Sequence, residues 1–237
     1  MILPRAENQL QEQIDNFQTF VEENKLVANA RKCKAMKFNF SRKFDFPLEV
    51  QLNHEKLQEV DEMRLLGVIV SSDLKWQKNT DALVKKAMSR IWLLRRMKQM
   101  GVSQTTLADY WAKEGRSVLE LAVPLWHSGL TSRQAASLER CQRVAVAAMG
   151  LSGWRDYDAS LARLGLCRLA ARRDKLCRTF ATRTVARSRH QDLFPRREHH
   201  GHNTRHAGNS FHEDSCRTQR RYKSARPYLA RLLNQLQ

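Results

Sequence analysis

The run Met63-Arg64-Leu65-Leu66-Gly67-Val68-Ile69-Val70, and the change of pattern that follows it, decide the fold class. Its near-continuous apolar content, ending in three β-branched side chains, predicts a buried β-strand. From Asn79 onward the period changes. Leu83, Ala87, Ile91 and Leu94 recur every three or four positions, which is the spacing of one helix face. A short strand-rich segment followed by a long helical one predicts an α+β, mainly α, chain.

Upstream of the decisive run the strand pattern persists. Leu48-Glu49-Val50-Gln51-Leu52 alternates, Asn53-His54-Glu55-Lys56 reads as a polar turn, and Leu57–Val60 pairs back as a hairpin. Met36, Phe38 and Phe40 share one face of a further strand, with Lys37 and Asn39 on the other. Leu10, Ile14, Phe17 and Val21 mark an amphipathic helix that ends near Asn24-Lys25. One helix against a few strands is a small core. Apolar surface is therefore expected to stay exposed, chiefly on Phe38, Phe40, Val68 and Val70.

Downstream, Gly101 reads as a helix C-cap, and Ser103 can cap a second helix running to about Leu121, before Pro124. Thr131 or Ser132 opens a third helix with Leu138, Cys141, Ala145 and Ala148 inward and Gly150 at its end. Asp156 or Asp158 opens a short helix that stops at Gly165. A long helix over about 167–188 places Leu169, Leu176, Phe180 and Thr184 on one face. Residues 189–221 carry little apolar content beyond Leu193, Phe194 and Phe211 and read as disordered, and Tyr228, Leu232 and Leu233 suggest a short terminal helix.

Charge divides the chain differently. Of 237 residues, 42 are Lys or Arg and 24 Asp or Glu, a net charge of +18. Residues 1–154 hold 23 basic and 17 acidic side chains, a net of +6, whereas 155–237 hold 19 and 7, a net of +12. So concentrated an excess points to a polyanion, nucleic acid first among them. No apolar stretch approaches the roughly 20 residues needed to cross a bilayer, and Met1-Ile2-Leu3-Pro4 leads into polar residues, so neither a membrane partner nor secretion is expected. The five cysteines, at 33, 141, 167, 177 and 216, show no zinc-knuckle spacing and read as reduced thiols of an intracellular protein. His199, His200, His202, His206, His212 and Cys216 fit no closed zinc template either, so a polar tail is the reading preferred to a zinc site.

Several motifs carry a family resemblance. Asn29-Ala30-Arg31-Lys32-Cys33-Lys34 is similar to the Asn-x-x-Lys-Cys-Lys element of non-LTR retrotransposon reverse transcriptases. Arg64-Leu65-Leu66-Gly67-Val68-Ile69-Val70-Ser71-Ser72-Asp73-Leu74-Lys75-Trp76 closely resembles the segment that ends their palm. Arg116–Glu120 with Pro124-Leu125-Trp126-His127-Ser128-Gly129-Leu130-Thr131 resembles their thumb signature. Leu138-Glu139-Arg140-Cys141-Gln142-Arg143 resembles the next helix, and Arg221–Asn234 the usual chain end. Each match is short, but they run in register over nearly the whole chain. Gly115 departs from the pattern, standing where the family carries a branched apolar residue.

The resemblance implies a division into the C-terminal part of a palm (1–76), a helical thumb-like region (77–150) and a basic C-terminal region (151–237). It implies RNA and DNA as partners, in the form of a template–primer. Gly67 would let the primer backbone approach, and Lys32 would stand near the incoming nucleotide, with a strand-edge lysine as the alternative. The basic residues Lys85, Lys86, Arg90, Arg95, Arg96, Arg172 and Arg173 would grip phosphates, with a solvated helix face as the alternative. Nucleotidyl transfer needs two divalent metals held by carboxylates. The family supplies these from a lone aspartate and an Asp-Asp turn, and this sequence contains no Asp-Asp pair. No cofactor and no small-molecule substrate are therefore expected for this chain, Mg²⁺ belonging to the full-length polymerase. The alternative is a non-enzymatic RNA- or DNA-binding protein derived from a mobile element.

Overall fold

The computed structural model describes residues 4–40, 48–152, 155–196 and 210–236. The chain forms two compact units, Met1–Leu74 and Lys75–Gln237. It is mainly helical, with three two-stranded sheets among the described residues.

In the first unit, helix α1 (Pro4–Glu23) packs on a hairpin of β2 (Gln51–Leu52) and β3 (Glu55–Lys56). Val50, Leu52 and Leu57 form the core there, with Ile14, Cys33 and Leu48 against it. The Gln11 side-chain amide imitates a strand neighbour. Its Nε2 donates to the Gln51 carbonyl and its Oε1 accepts from the Gln51 N–H, both at 3.0 Å. The hairpin turns through Asn53 and His54, both in the left-handed region, as a two-residue turn requires.

Two strand expectations are corrected. Of the alternating run 34–40, only Lys34–Ala35 (β1) is a strand, paired in parallel with β4 (Gln58–Glu59). The apolar run 63–70 is two strands, β5 (Glu62–Leu65) and β6 (Val68–Ser71), folded into an antiparallel hairpin. The break falls at Leu66 and Gly67, with φ of 48° and 89°. Glycine enters this region at no cost, and a turn with both central residues there matches the twist of the flanking strands. Of the residues expected to expose apolar surface, Phe38 and Phe40 are about half exposed, and Leu66 in the turn is 92 % exposed. Val68, by contrast, is buried and Val70 half-buried.

The second unit is built around α2 (Gln77–Gln99). Leu83, Ala87, Ile91 and Leu94 are buried along one face, as the period predicts. Met100 and Gly101 close the helix, with Val102 N–H bonded back to the Met97 carbonyl and Gly101 at φ 81°. Ser103 caps α3 (Gln104–Tyr110), accepting from the Thr106 N–H. That helix continues through one π-helical turn, Trp111–Gly115, into α4 (Arg116–Leu119). After Ala122, in the left-handed region, Pro124 sits in the first turn of the short α5 (Val123–Trp126), where it loses no hydrogen bond.

Helix α6 (Ser132–Ala148) packs closely on α2. Its capping box joins Thr131 to Gln134, and the buried Gln134 also donates to the Lys75 carbonyl at 2.8 Å. Asp156 caps α7 (Tyr157–Arg163). Helix α8 (Leu169–Val185) buries Leu169, Arg173, Cys177, Ala181 and Thr184, a face rotated from the one expected. Leu176 is half-buried and Phe180 is 44 % exposed. Packing against α5, α6 and the terminal helix α10 (Ala225–Asn234) favours the small side chains Cys177 and Ala181, which let helices approach closely.

Within 189–221, the described residues include two held anchors. Phe194 and Phe211 are buried, and Arg196 and Phe211 form a β-bridge. Asn234 accepts from the Phe211 N–H at 3.0 Å and donates to its carbonyl. A short helix, α9 (Gln219–Tyr222), follows. Residues 197–209, and with them His199, His200, His202 and His206, lie outside the described residues. No described helix is long and apolar enough to cross a membrane.

Candidate nucleic-acid interface

Helix α2 presents its polar face to solvent because its apolar residues occupy the opposite side. Lys85, Ser89, Trp92 and Arg96 follow one line along it, roughly opposite Leu83, Ala87 and Leu94. Lys86 and Arg95 flank that line on either side. Lys85, Lys86, Arg95 and Arg96 are all exposed. The side chains of the first three have neither a hydrogen bond nor an ion pair among the described residues, and the Arg96 guanidinium donates only to Gln99. From Lys85 to Arg96 the helix rises about 16 Å. That is roughly the axial length of five nucleotides of one strand.

Trp92, which the sequence reading did not single out, stands in the middle of this line at 61 % exposure. The Arg96 guanidinium carbon is 5.7 Å from its ring centroid. A signal for it existed in the sequence: a tryptophan one position past the buried Ile91 must project away from the core stripe. A row of cations without ion pairs among the described residues, with an exposed aromatic in it, can meet phosphates and one unstacked base.

The remaining expected residues are distributed unevenly. Arg90 is half-buried beside Tyr110, whose phenol is raised above its ordinary pKa by burial, so it is not part of the free face. Arg172 is half-exposed and bonds through Nε to both carboxylate oxygens of Glu120, at 3.1 and 3.2 Å. Arg173 is corrected outright. At 2 % exposure it has no surface to offer a phosphate, and its Nε donates to His127 Nδ1 at 3.2 Å. Lys32 and Gly67 belong to the first unit: Lys32 is exposed in a 3₁₀ turn rather than a strand, and Gly67 is exposed in the β5–β6 turn.

Around Arg173 lies a polar cluster that the sequence reading missed. His127 Nδ1 accepts from Arg173, so the proton of the neutral ring is on Nε2, which donates to Asp174 at 2.8 Å. The Tyr228 hydroxyl also donates to Asp174, at 3.1 Å. Burial, then the neighbouring Arg173 charge, hold His127 below its ordinary pKa, against the pull of Asp174. With both nitrogens engaged, the ring acts as a brace among α5, α8 and α10 rather than as a free base.

Among the described residues, Asp61 and Asp73 serve local structure. Asp61 and Asp73 close the base of the β5–β6 hairpin, where the Ser72 N–H donates to the Asp61 carbonyl and Ser71 Oγ to the Asp73 carboxylate at 2.7 Å. No group of three or more His, Cys, Asp or Glu among the described residues could hold a metal ion. No protein-family model, curated protein or solved structure matches the chain.

Proposed function

We propose that this chain is the palm-end, thumb and basic C-terminal part of a non-LTR retrotransposon reverse transcriptase, and that it binds the backbone of a template–primer duplex through α2. The single observation that carries the reading is the cationic line Lys85–Arg96, without ion pairs among the described residues, on the helix directly after the motif Arg64–Trp76. The exposed Phe17, Phe20, Phe38 and Phe40 of the first unit support it, as apolar surface suited to contact with further protein. Backbone contacts of this kind are indifferent to sequence and sensitive to salt.

The test is fluorescence anisotropy of a labelled RNA–DNA hybrid, titrated at several salt concentrations. Binding with a steep salt dependence is expected, and a variant carrying Lys85→Gln, Lys86→Gln, Arg95→Gln and Arg96→Gln should lose most of it. Retention of full affinity in that variant would remove the proposal. Primer extension with Mg²⁺ should yield no DNA from this chain alone. One observation favours a second reading, a non-enzymatic RNA- or DNA-binding protein of mobile-element origin: the sequence lacks the paired aspartates that catalysis requires.

A further inference from the structure

A groove of about 480 Å³ opens on the outward side of α8, bounded by Pro124 of α5 and by Leu193 and His190 of the 3₁₀ segment Ser188–Leu193. That volume is within the range of small-ligand sites, roughly 300–1,000 Å³. Along α8 it is lined by the apolar Leu176 and Phe180 and by the cationic Arg183 and Arg187. Arg183 and Arg187 follow Phe180 on the next two turns of chain, and the guanidinium group of neither has a hydrogen bond or ion pair among the described residues. Glu120, the one carboxylate among the described lining residues, is already held by Arg172 and by Arg116, whose Nε lies 3.5 Å away. Arg226 braces the Leu193 wall by donating to its carbonyl at 3.1 Å.

We propose that this groove binds a single-stranded stretch of nucleic acid, with one base stacked on Phe180 and the adjoining phosphates on Arg183 and Arg187. The inference rests on the nucleic-acid reading above and assigns a second, separate site to it. Charge selects the occupant: two guanidinium groups without ion pairs among the described residues lie beside the apolar Leu176 and Phe180, in the part of the chain that carries +12 of the net charge. Shape selects the strand state. Phe180 lines a concavity and is 44 % exposed, so an unpaired base can turn out and stack on it, whereas a base held inside a duplex stack cannot.

The experiment measures binding of a short fluorescein-labelled oligouridylate and, separately, of a blunt RNA–DNA hybrid to the full chain. The variants are Phe180→Leu, Phe180→Tyr and Arg183→Gln/Arg187→Gln, each checked for an unchanged melting temperature. Phe180→Leu and the double arginine variant should each weaken oligouridylate binding about tenfold, Phe180→Tyr should retain it, and the blunt hybrid should be unaffected. Equal oligouridylate affinity in wild type and Phe180→Leu overturns the proposal. If α2-dependent hybrid binding persists in that case, the duplex reading survives alone. If the hybrid is not bound but the oligouridylate is, with dependence on Phe180, the groove stands and the duplex reading falls. Displacement of neither probe by the other, together with groove-dependent binding of poly-glutamate in place of oligouridylate, would assign the groove to an acidic protein segment and overturn the proposal.

Discussion

The indole of Trp111 lies directly against the α-carbon of Gly115. A Cβ built on residue 115 would fall 2.0 Å from Trp111 Cε3 and 2.3 Å from Cζ3. Trp111 is fully buried and begins the π-helical turn that Gly115 ends. The extra residue in that turn brings the ring over the glycine, so here the ring fills the space that a side chain at 115 would take.

Gly115→Ala should therefore destabilise the protein, although alanine is the better helix former by about 1 kcal/mol. Overpacking against a buried, well-ordered indole outweighs that gain, for a net loss of about 1–3 kcal/mol. Urea denaturation of Gly115→Ala, Trp111→Leu and the double variant checks this. The alanine should cost much less on the Trp111→Leu background, because the clash is gone.

Acid should weaken the second unit through His127. Its folded-state pKa lies below the ordinary 6.5, so the unfolded chain binds the proton more readily. The His127 contribution is fully present above pH 6.5 and is lost as pH falls from there through the lowered folded value. Denaturation midpoints measured across that window should drop for the wild type. The drop should be smaller for His127→Gln, which cannot take up the proton.

Two arginines from the same basic pool should behave in opposite ways. Arg96→Gln should leave the melting temperature nearly unchanged and lower the slope of log affinity against log salt by roughly 0.9 if Arg96 faces a phosphate. Arg173→Met should leave His127 Nδ1 without its buried donor and destabilise the fold by about 1–3 kcal/mol. Thermal melts paired with anisotropy at several salt concentrations separate the two.

The thiols should divide into two classes. Burial pushes the Cys141 thiol up to about 11 and Cys177 up to about 12, and both side chains are enclosed. Cys167 is exposed, and Cys33 and Cys216 are partly so. A thiol-reactive chromophore at neutral pH should label Cys167, Cys33 and Cys216 in the native protein and reach Cys141 and Cys177 only after denaturant is added.

The sequence by itself determined the helical second unit, because helix periodicity and capping are local. The stripe Leu83–Leu94, the Ser103 cap, a cap at Thr131 or Ser132 and helix-ending glycines at 101, 150 and 165 all read directly from residue types and spacing. The same locality explains where that reading went astray. An apolar run such as 63–70 suits one long strand or two short ones equally, and only closure of the Leu66–Gly67 turn by cross-strand pairing decided for the hairpin. Helix α8 offers two nearly equivalent faces. Tertiary packing took the one with Cys177 and Ala181, because small side chains admit the close approach of α5, α6 and α10. That choice sent Arg173 inward to His127 and left Phe180 outward on the groove. Composition placed the positive charge on the chain. Which of those charges stay free for a polyanion and which brace the interior depends on burial and on partners distant in sequence, and only the tertiary structure assigns those.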